Sequence, residues 1–199
     1  MIFILKHRWW TALLATILGA AAAWWLGAWD QGPTARLSWP AQVAVGLAGG
    51  CGALFLNLLF HETFKRTVGR RYVDAFERHS RAVLGPMGWR EYLAGGLMAA
   101  AAEEPLFRGL LLQAFENPAV GVAVAAIVFA GFHWLSVRFF PFWIWAAWEG
   151  VVFGVLLVAT GSLLVPAVAH GVHDVVAYRA LRALVRFPRS DKLPACRLL

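Results

Sequence analysis

The sequence predicts an all-α membrane protein, a polytopic bundle of about six transmembrane helices with both termini in the cytoplasm. Three observations carry this. The 199 residues are 60% hydrophobic and only 15% charged, whereas soluble domains average about 45–50% apolar and about 25% charged. Six stretches approach the roughly 20 mostly apolar residues that a helix needs to cross a bilayer. The basic residues then sort by side. With six spans, the N-terminus, the 61–91 segment, the 138–141 loop and the C-terminal end counted from Arg179 hold 16 of the 18 Lys and Arg, and the opposite side holds only Arg36. The positive-inside rule puts that rich side in the cytoplasm. A net charge of +7 and a pI near 10.3 therefore report topology rather than nucleic-acid binding. The two cysteines, Cys51 and Cys196, are too far apart in sequence to suggest a disulfide framework or a cysteine metal site.

The spans run Trp9–Ala28, Ala41–Phe60, Tyr92–Phe115, Pro118–Val137, Phe142–Thr160 and Ser162–Leu184. The first is longer than a signal-peptide core, and Ala21–Ala23 leads into Trp-Trp rather than a processed start, so it reads as an anchor. Trp9, Trp10, Trp24, Trp25, Trp29, Trp39, Trp89, Trp143 and Trp145 fall near span ends, where indole rings favour the interface. Gly46, Gly49, Gly50 and Gly52 give the second span small faces for close packing. The 61–91 segment reads as a basic amphipathic cytoplasmic linker, a topology determinant that also suits anionic head groups. No internal repeat suggests an inverted-repeat transporter. The chain reads as one integral domain over 1–199, with a core over 92–178 that carries the polar motifs.

Charge inside a span is costly and marks function or pairing. In Glu103-Glu104-Pro105-Leu106-Phe107-Arg108, the two carboxylates point about 100° apart on a helix. Glu104 and Arg108 sit at i,i+4 and can pair, which leaves Glu103 free to act on substrate or water. Pro105 frees the carbonyl of Ala101 and predicts a local break. Phe129 and His133 share a face, with Gly131 between them to admit a neighbour. In His170-Gly171-Val172-His173-Asp174, Asp174 is placed to accept from an imidazole nitrogen of His170 and fix its tautomer. Pro166, one turn earlier, predicts a bend, and His173 joins the site or its rim. Glu149, beside Gly150 in the fifth span, reads as a hydrogen-bond partner for a neighbouring helix.

Carboxylate and imidazoles on three helices converge only in the bundle core. There Glu103 with His133 can deprotonate a water, and His170 with Asp174 can face a developing oxyanion. That is hydrolysis without a covalent nucleophile. No GxSxG and no HExxH occurs. A divalent metal such as zinc stays open as an alternative, on Glu103, His133 and His170 with either His173 or Asp174. Haem on His133 and His170 would leave Glu103, Glu104 and Arg108 without a role.

Taken together, Glu103-Glu104…Arg108, Phe129…His133 and His170…Asp174 resemble the EExxxR, FxxxH and HxxxN/D motifs of the CPBP family, the CAAX proteases and bacteriocin-processing enzymes also called the Abi family. They occur in the family's order, over residues 92–178, and Thr160–Pro166 resembles the approach to the third motif. The resemblance implies a glutamate-dependent intramembrane endopeptidase. In it Glu103 is the general base, His133 helps activate water, His170 and Asp174 form the oxyanion site, and Glu104 and Arg108, with Phe129, shape the pocket. The chain departs at Asp174, where the prenyl-protease branch has Asn, and an ionised Asp has no proton to donate to an oxyanion. The expected partners are the bilayer and a membrane-associated or C-terminally anchored protein or peptide substrate, with no nucleic acid. No cofactor is expected, and nothing in the sequence speaks to oligomeric state. The Ala-, Trp- and Arg-rich composition points to a bacterial inner membrane. The alternatives are a metal-dependent version of the protease, or a non-catalytic immunity or scaffold protein that keeps the bundle.

Overall fold

The structure is a computed structural model that describes residues 9–25, 27, 36–67, 69–84 and 87–184. Among the described residues every regular element is helical. The elements are α1 (Trp9–Trp25), α2 (Trp39–Thr67), α3 (Arg70–Leu84), α4 (Trp89–Met98), α5 (Pro118–Phe132), α6 (Phe140–Thr160) and α7 (Leu164–Leu184). Beyond Met98 the α4 path continues through π-helical turns at Ala99–Glu103 and Pro105–Leu111 and a 3-10 turn at Leu112–Ala114. Each expected span falls on a helical path, but α2 runs seven residues past the expected Phe60 and α5 ends five residues before the expected Val137. The end of the first span, the basic N-terminus, Trp29 and the C-terminal tail lie outside the described residues.

The ends follow local chemistry. Asn117 caps α5 by accepting from the amides of Ala119 (2.9 Å) and Val120 (3.3 Å), and Pro118 takes the first helical position. Gly161 ends α6 in the left-handed region at φ 66°, which costs glycine nothing. Pro166 does not bend a helix interior. It stands in the first turn of α7, where an amide has no intrahelical acceptor to lose, and the Ser162 carbonyl is taken by Val165 N–H (3.3 Å).

Two helical stretches, Trp39–Thr67 and Val137–Thr160, are long and apolar enough to cross a membrane. At 1.5 Å per residue, α2 with its 29 residues extends about 43 Å, beyond the roughly 30 Å hydrocarbon core. The described part of the 61–91 segment holds the last turns of α2 and the amphipathic α3, which lays Tyr72 and Phe76 against Phe64, Phe139 and Phe142. Large apolar side chains such as Phe55, Leu58, Ile127, Phe132 and Val155 face outward, as a lipid-facing surface requires. Trp24, Trp25, Trp39 and Trp89 are exposed near helix ends.

α7 is the central helix and packs on α2, α4 and α6. Close approach needs glycine at specific places. A Cβ on Gly50 of α2 would lie 2.6 Å from the Ala169 carbonyl, and one on Gly96 of α4 would lie 2.6 Å from the Gly171 carbonyl. Gly46 and Gly49 likewise meet α7 or α6, whereas Gly52 faces open space. Gly131 also faces open space, so it does not admit a neighbouring helix as its position beside His133 suggests.

Candidate active site

Proline lacks an amide hydrogen and its ring crowds the carbonyl four residues earlier, so an unbroken α ladder cannot pass Pro105. The chain widens instead of breaking. The Glu104 amide bonds the Ala99 carbonyl, five residues back, and the Leu112 amide bonds Phe107 in the same way. Such π-helical turns concentrate at functional sites. Here they set the directions of Glu103, Glu104 and Arg108.

Glu104 is fully buried. Its Oε1 accepts from Arg108 Nη1 at 2.9 Å and from His170 Nδ1 at 2.6 Å. Arg108, also fully buried, donates from Nη2 to the Gly150 carbonyl at 3.1 Å. Its guanidinium carbon lies 4.7 Å from the Phe129 ring centre and 5.7 Å from that of Phe153. The Phe153 ring stacks on His170 at 4.6 Å. Phe129 touches all three motifs, because its ring also meets His133 (4.4 Å between centres) and His170 (5.6 Å).

His133 caps the C-terminus of α5, and its Nδ1 donates to the Phe129 carbonyl at 2.8 Å. A carbonyl only accepts, so the proton sits on Nδ1 and Nε2 is the nitrogen left for chemistry. Glu103 takes a different face from Glu104, as the helical offset implies. It is half-buried, and its Oε2 is buried without a hydrogen-bond partner.

The third motif differs from expectation in its contacts. His170 Nε2 lies 3.7 Å from Asp174 Oδ1, beyond hydrogen-bond length. The His170 ring is instead oriented through Nδ1 by Glu104, an interhelical contact that i,i+4 spacing does not reveal. Asp174 turns to other partners: Oδ1 accepts from His173 Nδ1 (3.1 Å) and Oδ2 from the Tyr178 hydroxyl (3.1 Å). His173 is buried rather than on a rim, with its Nε2 3.0 Å from Glu149 Oε1. Glu149 meets a neighbouring helix as expected, accepting from Asn57 Nδ2 of α2 at 2.7 Å. Asn57 in turn contacts His173 Nε2 and accepts from the Trp145 indole. Trp145 thus turns inward rather than to the interface.

Asn57, Trp145, Phe153 and Tyr178 were not legible as site residues. Two of them left a signal: Asn57 is an amide deep in an apolar span, and Tyr178 is i+4 from Asp174. Asn57 and Trp145 also line a cavity of about 220 Å³ walled by aromatic side chains, among them Phe60, Tyr72 and Phe142. The Tyr72 hydroxyl pKa is pushed up to about 12 by burial.

Among the described residues no group of three or more His, Cys, Asp or Glu side chains is arranged to hold a metal ion. Glu103, His133 and His170 do not form such a ligand set.

The arrangement offers two unpaired carboxylate oxygens, Glu103 Oε2 and Glu104 Oε2, an imidazole with a free nitrogen and a second imidazole aligned by a buried ion pair. No curated protein and no solved structure matches the chain. Residues 86–176 match the family model described as type II CAAX prenyl endopeptidase Rce1-like, which spans all three motifs. Over this segment, a little under half of the chain, the match supports the CPBP/CAAX protease family, whose members are membrane-embedded proteases.

Proposed function

We propose that the protein is a glutamate-dependent intramembrane endopeptidase that cleaves a membrane-associated or C-terminally anchored protein or peptide. The observation that carries the reading is the division of labour between adjacent carboxylates. Glu104 is committed through Oε1 to Arg108 and His170, whereas no hydrogen bond or ion pair among the described residues holds Glu103; the Oε2 of each carboxylate is buried without a partner. Glu103 is the base. It takes a proton from a water oriented by His133 Nε2, and the hydroxide attacks the scissile carbonyl carbon. As the imidazolium, with Nδ1–H on Glu104, His170 donates Nε2–H to the oxyanion. The intermediate collapses, and Glu103 returns its proton to the leaving amine. Positioned donors of this kind are worth about 10²–10³ in rate each. Asp174 balances the imidazolium charge and donates nothing.

The setting follows from the same reading. All six long helical paths cross a bacterial inner membrane, with both termini in the cytoplasm, in keeping with the placement of basic residues.

The test uses purified full-length protein in detergent with two internally quenched probes, a prenylated CAAX peptide and an unprenylated C-terminal membrane-anchor segment. The expected result is cleavage of at least one probe that is lost in Glu103→Gln and His133→Ala and persists with a chelator. Loss on chelation, restored by zinc, would assign a metal mechanism. Equal product from wild type and Glu103→Gln would overturn the reading.

A further inference from the structure

Four polar side chains outside the three motifs join Asp174 in one hydrogen-bonded chain across three helices. Trp145 Nε1 of α6 donates to Asn57 Oδ1 of α2, and Asn57 Nδ2 donates to Glu149 Oε1 of α6 at 2.7 Å. Glu149 Oε1 faces His173 Nε2 at 3.0 Å, and His173 Nδ1 reaches Asp174 Oδ1 at 3.1 Å. Glu149, His173 and Asp174 are all buried. Burying two carboxylates and an imidazole among apolar helices is expensive, and packing α2, α6 and α7 together could be achieved with apolar residues.

The chain fixes one proton in any arrangement. Asp174 as a carboxylate only accepts, so His173 Nδ1 carries hydrogen towards it. His173 Nε2 then either donates to Glu149 or accepts from Asn57. Both of those partners hold the imidazole in the same place. Tyr178 secures the other Asp174 oxygen at 3.1 Å. Asp174 is therefore held through both of its oxygens, with Oδ1 3.7 Å from His170 Nε2, beyond a direct hydrogen bond.

We propose that Glu149 and Asn57 act through His173 as positioning residues that hold Asp174 at this stand-off, so that His170 Nε2–H is left for the substrate oxyanion. Without the chain, Asp174 swings onto His170 and takes the proton that the oxyanion needs. This rests on the protease reading for its catalytic consequence. It also gives an acidic residue a use at a position where an amide donor is expected.

The test uses full-length protein and whichever of the two quenched probes wild type cleaves. Glu149→Gln and Asn57→Leu are each expected to lower kcat roughly tenfold or more, as misplacement of a reacting group does. KM stays within about twofold for Glu149→Gln, a residue outside the cavity lining, and Tm is little changed for this isosteric variant. Wild-type kcat in Glu149→Gln would overturn the proposal, and so would losses that merely track the unfolded fraction. The hydrogen-bonded chain is read separately from turnover by a thermal double-mutant cycle of Glu149→Gln with Asp174→Asn. Non-additive Tm shifts are expected, because both act on His173, and additive shifts would overturn it. If wild type and Glu103→Gln cleave neither probe, the protease reading fails, and the cycle still decides whether the chain exists.

Discussion

Arg108 is the group whose removal the bundle tolerates least. It is fully buried, donates to Glu104 at 2.9 Å and to the Gly150 carbonyl at 3.1 Å, and lies between the Phe129 and Phe153 rings. Arg108→Leu leaves Glu104 charged in the core with only His170 for company. Breaking a buried ion pair by deleting one partner costs about 3–5 kcal/mol. The orphaned Gly150 carbonyl falls within the same loss rather than adding to it in full, because these contacts share one guanidinium. For a chain of this size, each kcal/mol moves Tm by about 2–4 °C, so the expected drop is about 6–20 °C. The assay is thermal unfolding of the detergent-solubilised protein, followed by loss of monodispersity and by helical circular dichroism. Glu104→Leu combined with Arg108→Leu should fall less than the sum of the single variants, because removing both charges leaves no unpaired ion. A Tm for Arg108→Leu within about 2 °C of wild type would refute the claim that the pair organises the core.

Gly96→Ala would place a methyl 2.5 Å from Val175 Cγ2 and 2.6 Å from the Gly171 carbonyl. It should lower Tm by an amount equivalent to about 1–3 kcal/mol and reduce turnover by moving His170 away from Glu104. Gly131→Ala, with nothing within 4 Å, should leave Tm unchanged or raise it. Tyr72 titrates at about 12 instead of 10.0. Its neutral form is thus favoured by folding, and stability should decline as pH rises from 10 towards 12. The phenolate absorbance that appears near pH 12 should be smaller in Tyr72→Phe than in wild type, and so should the alkaline stability loss. His133→Gln should abolish cleavage while keeping a wild-type Tm, because the ring is half-buried and its one hydrogen bond is to its own helix.

Hydropathy and helical spacing placed the helices and much of the site. The Glu104–Arg108 pair is a contact within one helix, and i,i+4 spacing announced it. The separation of Glu103 from Glu104 followed from the offset between adjacent helical residues. The contacts that spacing misassigned are those between helices. His170 has Asp174 at i,i+4 but bonds Glu104 on α4, because helix rotation and crossing decide which neighbour is nearer. Asn57 carries no charge, so a search for ionisable residues in spans passed over it. Pro105 signalled an interruption, but whether a helix breaks or widens depends on the packing around it. Gly131 looked like a contact point from its place beside His133, yet the face it occupies meets no helix.

The most direct test of Glu103 as the base of a membrane protease is made in the organism. Membrane-protein termini are mapped in wild-type cells and in a strain carrying chromosomal Glu103→Ala, with the two proteins present at equal level. The expected result is a set of termini present in wild type and absent in the variant, with uncleaved precursors accumulating in the membrane. Identical termini in both strains, at equal protein level and with the helical fold intact, would contradict the assignment of Glu103.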